Sequence, residues 1–134
     1  MPLDPDARIV AILRGLEPSR AVATGQVLHS AGIRIIEVPL NSPDPFASIA
    51  SLTDHYGNDC LIGAGTVLDT EAVQKTHAAG GRLIVAPNCN PDVIRTGLSL
   101  GMEVMPGIAT PTEAFAAISD VPMAHHGRAR LARK

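Results

Sequence analysis

One pattern recurs along the chain and limits what it can become. An apolar run of roughly five to eight residues leads into a polar turn, a helical stretch and then glycine. The runs cover residues 9–13 (IVAIL), 34–40, 60–67 (CLIGAGTV), 82–87 (RLIVAP) and 103–109 (EVMPGIA). The spacing predicts helices over 18–31, 44–56, 69–79, 91–100 and 111 to about 118. Helix-entry signals precede them: Glu17-Pro18-Ser19, Ser42-Pro43, Asp69-Thr70-Glu71, Asn90-Pro91 and Thr110-Pro111. Gly32, Gly57, Gly80-Gly81 and Gly101 mark their ends, just before the next strand.

Five strand–helix units in series imply a parallel sheet, because right-handed crossovers join each strand to the next. Two architectures are open. A doubly wound sheet carries a Gly-rich first turn, and the first turn here, LRGLEP, has no GxGxxG. A (β/α)8 barrel collects polar residues at the C-terminal ends of its strands. Arg14, Glu37, Thr66, Asn88 and Thr110 all fall at or near those ends, so an incomplete (β/α)8 TIM barrel of about five βα units is expected. Aromatics are two Phe and one Tyr, so Ile, Leu, Val and Ala must build the core.

Composition removes other classes. A formal charge of −2 gives no nucleic-acid footprint, and no apolar run approaches the ~20 residues of a membrane span. The acidic, Pro-rich start MPLDPDARIV is unlike a secretory signal, and the expected location is cytoplasmic. Cys60 and Cys89 match no metal spacing and read as reduced, buried thiols. His29, His55 and His77 fall on predicted helices, and His125-His126 alone make no metal site.

Glu37 is the residue that needs explaining. It interrupts an apolar strand, and alternation turns Ile35, Glu37 and Pro39 inward if Ile36, Val38 and Leu40 face the helices. A buried carboxylate needs a partner, or its pKa rises toward neutrality. Two readings stand: a structural ion pair with Arg14 across neighbouring strands, or a proton-transfer residue. The run GAGTV (63–67) also has two readings: a close backbone approach with the Thr66 hydroxyl aimed at it, or a tight corner of small residues.

The segments ILRG (12–15), IIEVPLNSP (35–43), LIGAGTVL (61–68), LIVAPN (83–88) and MPGIATPTEA (105–114) resemble the 2-keto-3-deoxy-6-phosphogluconate/galactonate aldolase family across residues 8–118. Asn41 stands where gluconate-type enzymes usually carry Arg, so VPLNSP is more similar to the 6-phosphogalactonate branch. The resemblance implies a barrel, usually trimeric, that cleaves 2-dehydro-3-deoxy-6-phosphogalactonate to pyruvate and glyceraldehyde 3-phosphate through a lysine Schiff base. It implies that Glu37 is the acid/base, and that Arg14 and Thr66 contact substrate, Arg14 on its carboxylate side. It also implies that no metal is needed and that the lysine makes any other cofactor unnecessary.

The family places its Schiff-base lysine on a sixth strand, in a run that reads like K-x-F-P. The lysines of this chain are Lys75, on a predicted helix, and Lys134. Residues 1–118 therefore read as a partial aldolase barrel and 119–134 as a basic tail outside the family pattern, expected to be truncated or frameshifted coding sequence. Parallel strands need cover on both faces, so the chain is expected to be poorly soluble or homo-oligomeric, with negligible activity. The alternative from another class is a non-catalytic half-barrel that binds a keto acid or a partner subunit.

Overall fold

The structure, a computed structural model, describes residues 9–120 together with the backbone pair 132–133. Parallel strands β1 (Val10–Ile12), β2 (Ile35–Pro39), β3 (Leu61–Gly65), β4 (Leu83–Val85) and β5 (Glu103–Met105) form a single sheet in chain order. Helices α1 (Ala21–Ser30), α2 (Pro45–Tyr56), α3 (Thr70–Ala78) and α4 (Pro91–Ser99) make the crossovers, and α5 (Pro111–Ser119) follows. A separate short pair joins β6 (Gly107–Ile108) to β7 (Ala132–Arg133).

The two faces of the sheet differ, and this decides between the architectures. Ile36, Val38, Ile62, Ala64, Ile84 and Val104 pack against helix residues such as Ile49, Leu52, Val73, Val93 and Leu98 in one core. The alternate residues Ile35, Leu61, Leu83 and Met105 form a second, strand-only cluster with Val10 and Val85 at its margin. Helices on one face and sequential strand order are the arrangement of a barrel wall, with the strand-only face as its interior. A doubly wound sheet would carry helices on both faces and reverse its strand order.

Several boundaries shift for local reasons. The helix expected over 18–31 begins as a 3-10 turn, Pro18–Arg20, before α1. The run expected as one strand over 103–109 breaks into β5 and β6 at Pro106, which has no N–H to give a ladder. The N-terminus of α5 carries a capping box: the Thr110 hydroxyl accepts from Glu113 N at 3.2 Å, while Glu113 Oε1 accepts from Thr110 N at 3.1 Å. Thr110→Ala is expected to lower stability by about 1 kcal/mol in chemical denaturation.

Candidate active site

Glu37 lies in the middle of β2, paired in register with Ile12 of β1 and Gly63 of β3, and on the same side as Ile35. It therefore faces the interior, as alternation predicts. The residue is 5% exposed, and its Oε2 has no hydrogen-bond partner. Loss of hydration pushes its pKa up from 4.5 to about 7, against the opposing charge of Arg14. Such a carboxyl is half protonated near neutrality, so it can take up and return a proton at little cost.

β3 makes room for this group. A Cβ built on Gly65 would fall 1.7 Å from Glu37 Oε2 and 2.3 Å from its Cδ, so the carboxyl rests directly on the glycine backbone. The close approach to GAGTV is thus made by Glu37 itself. The strand ends there. Thr66 follows at φ 57°, a left-handed conformation that a β-branched residue adopts rarely, and its side chain is half-buried.

Arg14 sits in the turn after β1 and is exposed. The turn is tied to β2 on one side by Leu13 N–H to the Glu37 carbonyl, 2.9 Å. On the other side Gly15 N–H donates to Ser42 Oγ, 3.1 Å. The expected contact ion pair is not formed: among the described residues no nitrogen–oxygen contact within 4.0 Å joins Arg14 to Glu37. The guanidinium acts on the carboxyl through its field, because the turn carries it beyond the strand tip. A structural salt bridge therefore does not explain Glu37. The sequence marks Ser42 only as a helix-entry signal before Pro43; its tie to the Arg14 turn leaves no local trace, and the N-cap of α2 is Asp44.

Other candidates lie elsewhere. Lys75 is exposed on α3, 2.7 Å from Glu71, and the hydrogen bond to that carboxylate raises its pKa. It is a solvated cation on the outer layer rather than a free amine at the strand tips. Lys134 and His125-His126 lie outside the described residues. Thr110 spends its hydroxyl on the α5 cap, and Asn88 offers its carbonyl to Gly107 N at 3.2 Å. His29 Nε2 meets Asp59 Oδ2 at 3.1 Å and His55 Nδ1 meets the Ser51 carbonyl at 2.9 Å, both remote from Glu37 in the helical layer. Cys60 and Cys89 are free thiols, raised in pKa by burial, with Cys60 buried as expected but Cys89 only half-buried. No group of three or more His, Cys, Asp or Glu among the described residues could hold a metal ion, and none of their helices is long and apolar enough to cross a membrane.

The known proteins with this arrangement agree. The family described as KDPG and KHG aldolase matches residues 5–121. The chain is 51% identical over 118 residues to a probable 2-dehydro-3-deoxy-6-phosphogalactonate aldolase of Rhizobium meliloti, covering 87% of this chain and 56% of the relative. It is 47% identical over 110 residues to the 2-dehydro-3-deoxy-6-phosphogalactonate aldolase of Escherichia coli, covering 82% and 54%. A solved structure described as native KDPGal superposes with a TM-score of 0.85 at 44% identity, covering 90% of this chain and 58% of that one. The chain spans about half the length of the curated relatives it matches. On this match and on the barrel-wall fold, the chain belongs to the KDPG and KHG aldolase family.

Proposed function

We propose that this chain supplies the acid–base side of an aldolase site for 2-dehydro-3-deoxy-6-phosphogalactonate, a substrate cleaved to pyruvate and glyceraldehyde 3-phosphate. The observation that carries this is the Glu37 carboxyl: interior, 5% exposed, unpartnered at Oε2 and poised near pH 7. As carboxylate it takes the hydroxyl proton released when the C3–C4 bond breaks. As carboxylic acid it returns a proton to C3 of the resulting enamine. Arg14 faces the anionic carboxylate of the keto acid, and Thr66, next to Gly65, offers a hydroxyl at the strand tips.

Cleavage of that bond also needs an electron sink, which the family resemblance implies is a lysine iminium. The described lysine, Lys75, is a solvated helix residue paired with Glu71. The 134 residues alone are therefore read as catalytically silent, with residues 1–118 as the partial barrel and 119–134 as a tail. They would reside in the cytoplasm as a homo-oligomer. The same observation on Lys75 favours the second reading, a half-barrel that binds a keto acid without turning it over.

Two measurements test the proposal. Borohydride reduction with pyruvate should leave no adduct on Lys75 or Lys134 by mass spectrometry; an adduct on either would establish a relocated Schiff base. Grafting residues 8–118 in place of the matching segment of the Escherichia coli relative should give an active chimera. A folded, inactive chimera would mean that this segment is not an aldolase half-site.

A further inference from the structure

Arg14 is held in a way that its proposed role requires and that its own strand does not supply. β1 ends at Ile12, two residues before it. The turn of residues 13–16 closes with Leu16 N–H donating to the Leu13 carbonyl, 3.2 Å, and Leu16 is buried in the helix-side core. Gly15 takes the left-handed third position at φ +76°. Its N–H then points away from the turn, toward the end of β2. The acceptor there is Ser42 Oγ, at 3.1 Å across 27 residues of sequence. Ser42 is itself fixed: it is 7% exposed, and its N–H donates to the Pro39 carbonyl at 2.9 Å.

We propose that Ser42 is a positioning residue for Arg14: its hydroxyl ties the turn of residues 13–16 to the end of β2 and so fixes where the guanidinium sits at the strand tips. The inference rests on the acid–base reading of Glu37 and adds the element that aligns its cationic neighbour. Without the acceptor, the left-handed Gly15 peptide loses its tie to the end of β2, and Arg14 is held only by the Leu13 and Leu16 bonds on either side of it. The elements beside Glu37 are β1 with its turn and β3 with the Thr66 bend. Residues 10–16 and 61–67 on those elements contain one charged side chain, Arg14. A change in its position is therefore read directly by the carboxyl.

The test uses the full 134-residue chain and needs no turnover. Glu37 is labelled with carbon-13 at the side-chain carboxyl and titrated by NMR. Arg14→Gln is expected to raise its midpoint by about half a pH unit, because an attractive charge has been removed. Ser42→Ala is expected to raise it in the same direction, Ser42→Thr to leave it unchanged, and the Ser42→Ala/Arg14→Gln double variant to go no further than Arg14→Gln alone. Melting temperatures are recorded beside each midpoint. A lower melting temperature in Ser42→Ala with an unmoved midpoint, while Arg14→Gln shifts it, overturns the proposal and reduces Ser42 to a structural support. An unmoved midpoint in Arg14→Gln overturns both the proposal and the part assigned to Arg14, while leaving the Glu37 reading to the chimera. If the alanine variant does not fold, Ser42→Cys, similar in shape but a weak acceptor, carries the same comparison.

Discussion

Gly63→Ala is expected to remove cooperative folding, whereas Gly65→Ala, two residues along the same strand and on the same face, is expected to leave the fold standing. The difference lies in what each new methyl group meets. At Gly63 a Cβ would fall 1.8 Å from the Leu83 carbonyl oxygen and 2.7 Å from the Leu83 Cα. Those are backbone atoms of the adjacent strand, fixed by the pairs Gly63↔Leu83 and Ala64↔Ile84. β3 and β4 can relieve the clash only by separating, which breaks the sheet at its centre. Overpacking a core costs roughly 1–3 kcal/mol when side chains can yield, and more when backbone must move. About 4 kcal/mol is expected here, a large part of the stability of a small domain. At Gly65 the clash is with the Glu37 carboxyl, the far end of a rotatable side chain. That carboxyl swings away from its niche toward water, and its titration midpoint falls from about 7 toward 4.5. Urea denaturation separates the first outcome and carboxyl NMR the second. A Gly63→Ala protein that melts like the parent would show that β3 and β4 do not approach as described.

How much of this could be read from sequence differs from residue to residue. The two faces of β2 were legible because strand periodicity is 2: Ile36 and Val38 could only oppose Ile35 and Glu37. The division of β5 from β6 was also written in the chain, since Pro106 lacks a ladder donor, but the apolar run on both sides masked it. Thr110 was readable both as a strand-end polar residue and as a helix N-cap. One hydroxyl cannot serve both, and the box with Glu113 claims it. The Arg14–Glu37 contact was the reasonable expectation from adjacent strands. It failed because the guanidinium leaves β1 through a turn whose geometry depends on Gly15 and on Ser42, 27 residues later. Hydrogen bonds across that separation leave no periodic trace. The same holds for the seat of the Glu37 carboxyl. GAGTV left a close approach and a tight corner both open, and only the packing at Gly65 shows that the Glu37 carboxyl makes the approach.

Glu37→Gln is expected to stabilise the chain above pH 7 and to cripple the grafted enzyme, and the two effects share one cause. The folded state holds the Glu37 proton up to about pH 7, while an exposed carboxyl releases it near 4.5. Between those values the folded state binds a proton that the unfolded chain has lost, so stability falls as pH rises through the window. It levels off above about 7, where the folded carboxylate is charged and poorly hydrated. The full swing corresponds to roughly 3 kcal/mol. Glutamine has nearly the same shape and no charge, so denaturation at pH 5 and pH 8 should give a smaller difference in the variant than in the parent. Most of the gain should appear at pH 8. An identical pH response in both proteins would show that Glu37 titrates as an ordinary exposed acid. In the chimera, the amide can neither take the hydroxyl proton nor return it to carbon, and kcat should fall by roughly 10²–10⁴-fold with KM little changed. The buried, poorly partnered carboxyl that weakens the fold at neutral pH is thus the group whose proton affinity suits the reaction. A variant that gained stability while keeping full turnover would separate the two and require a different acid–base residue.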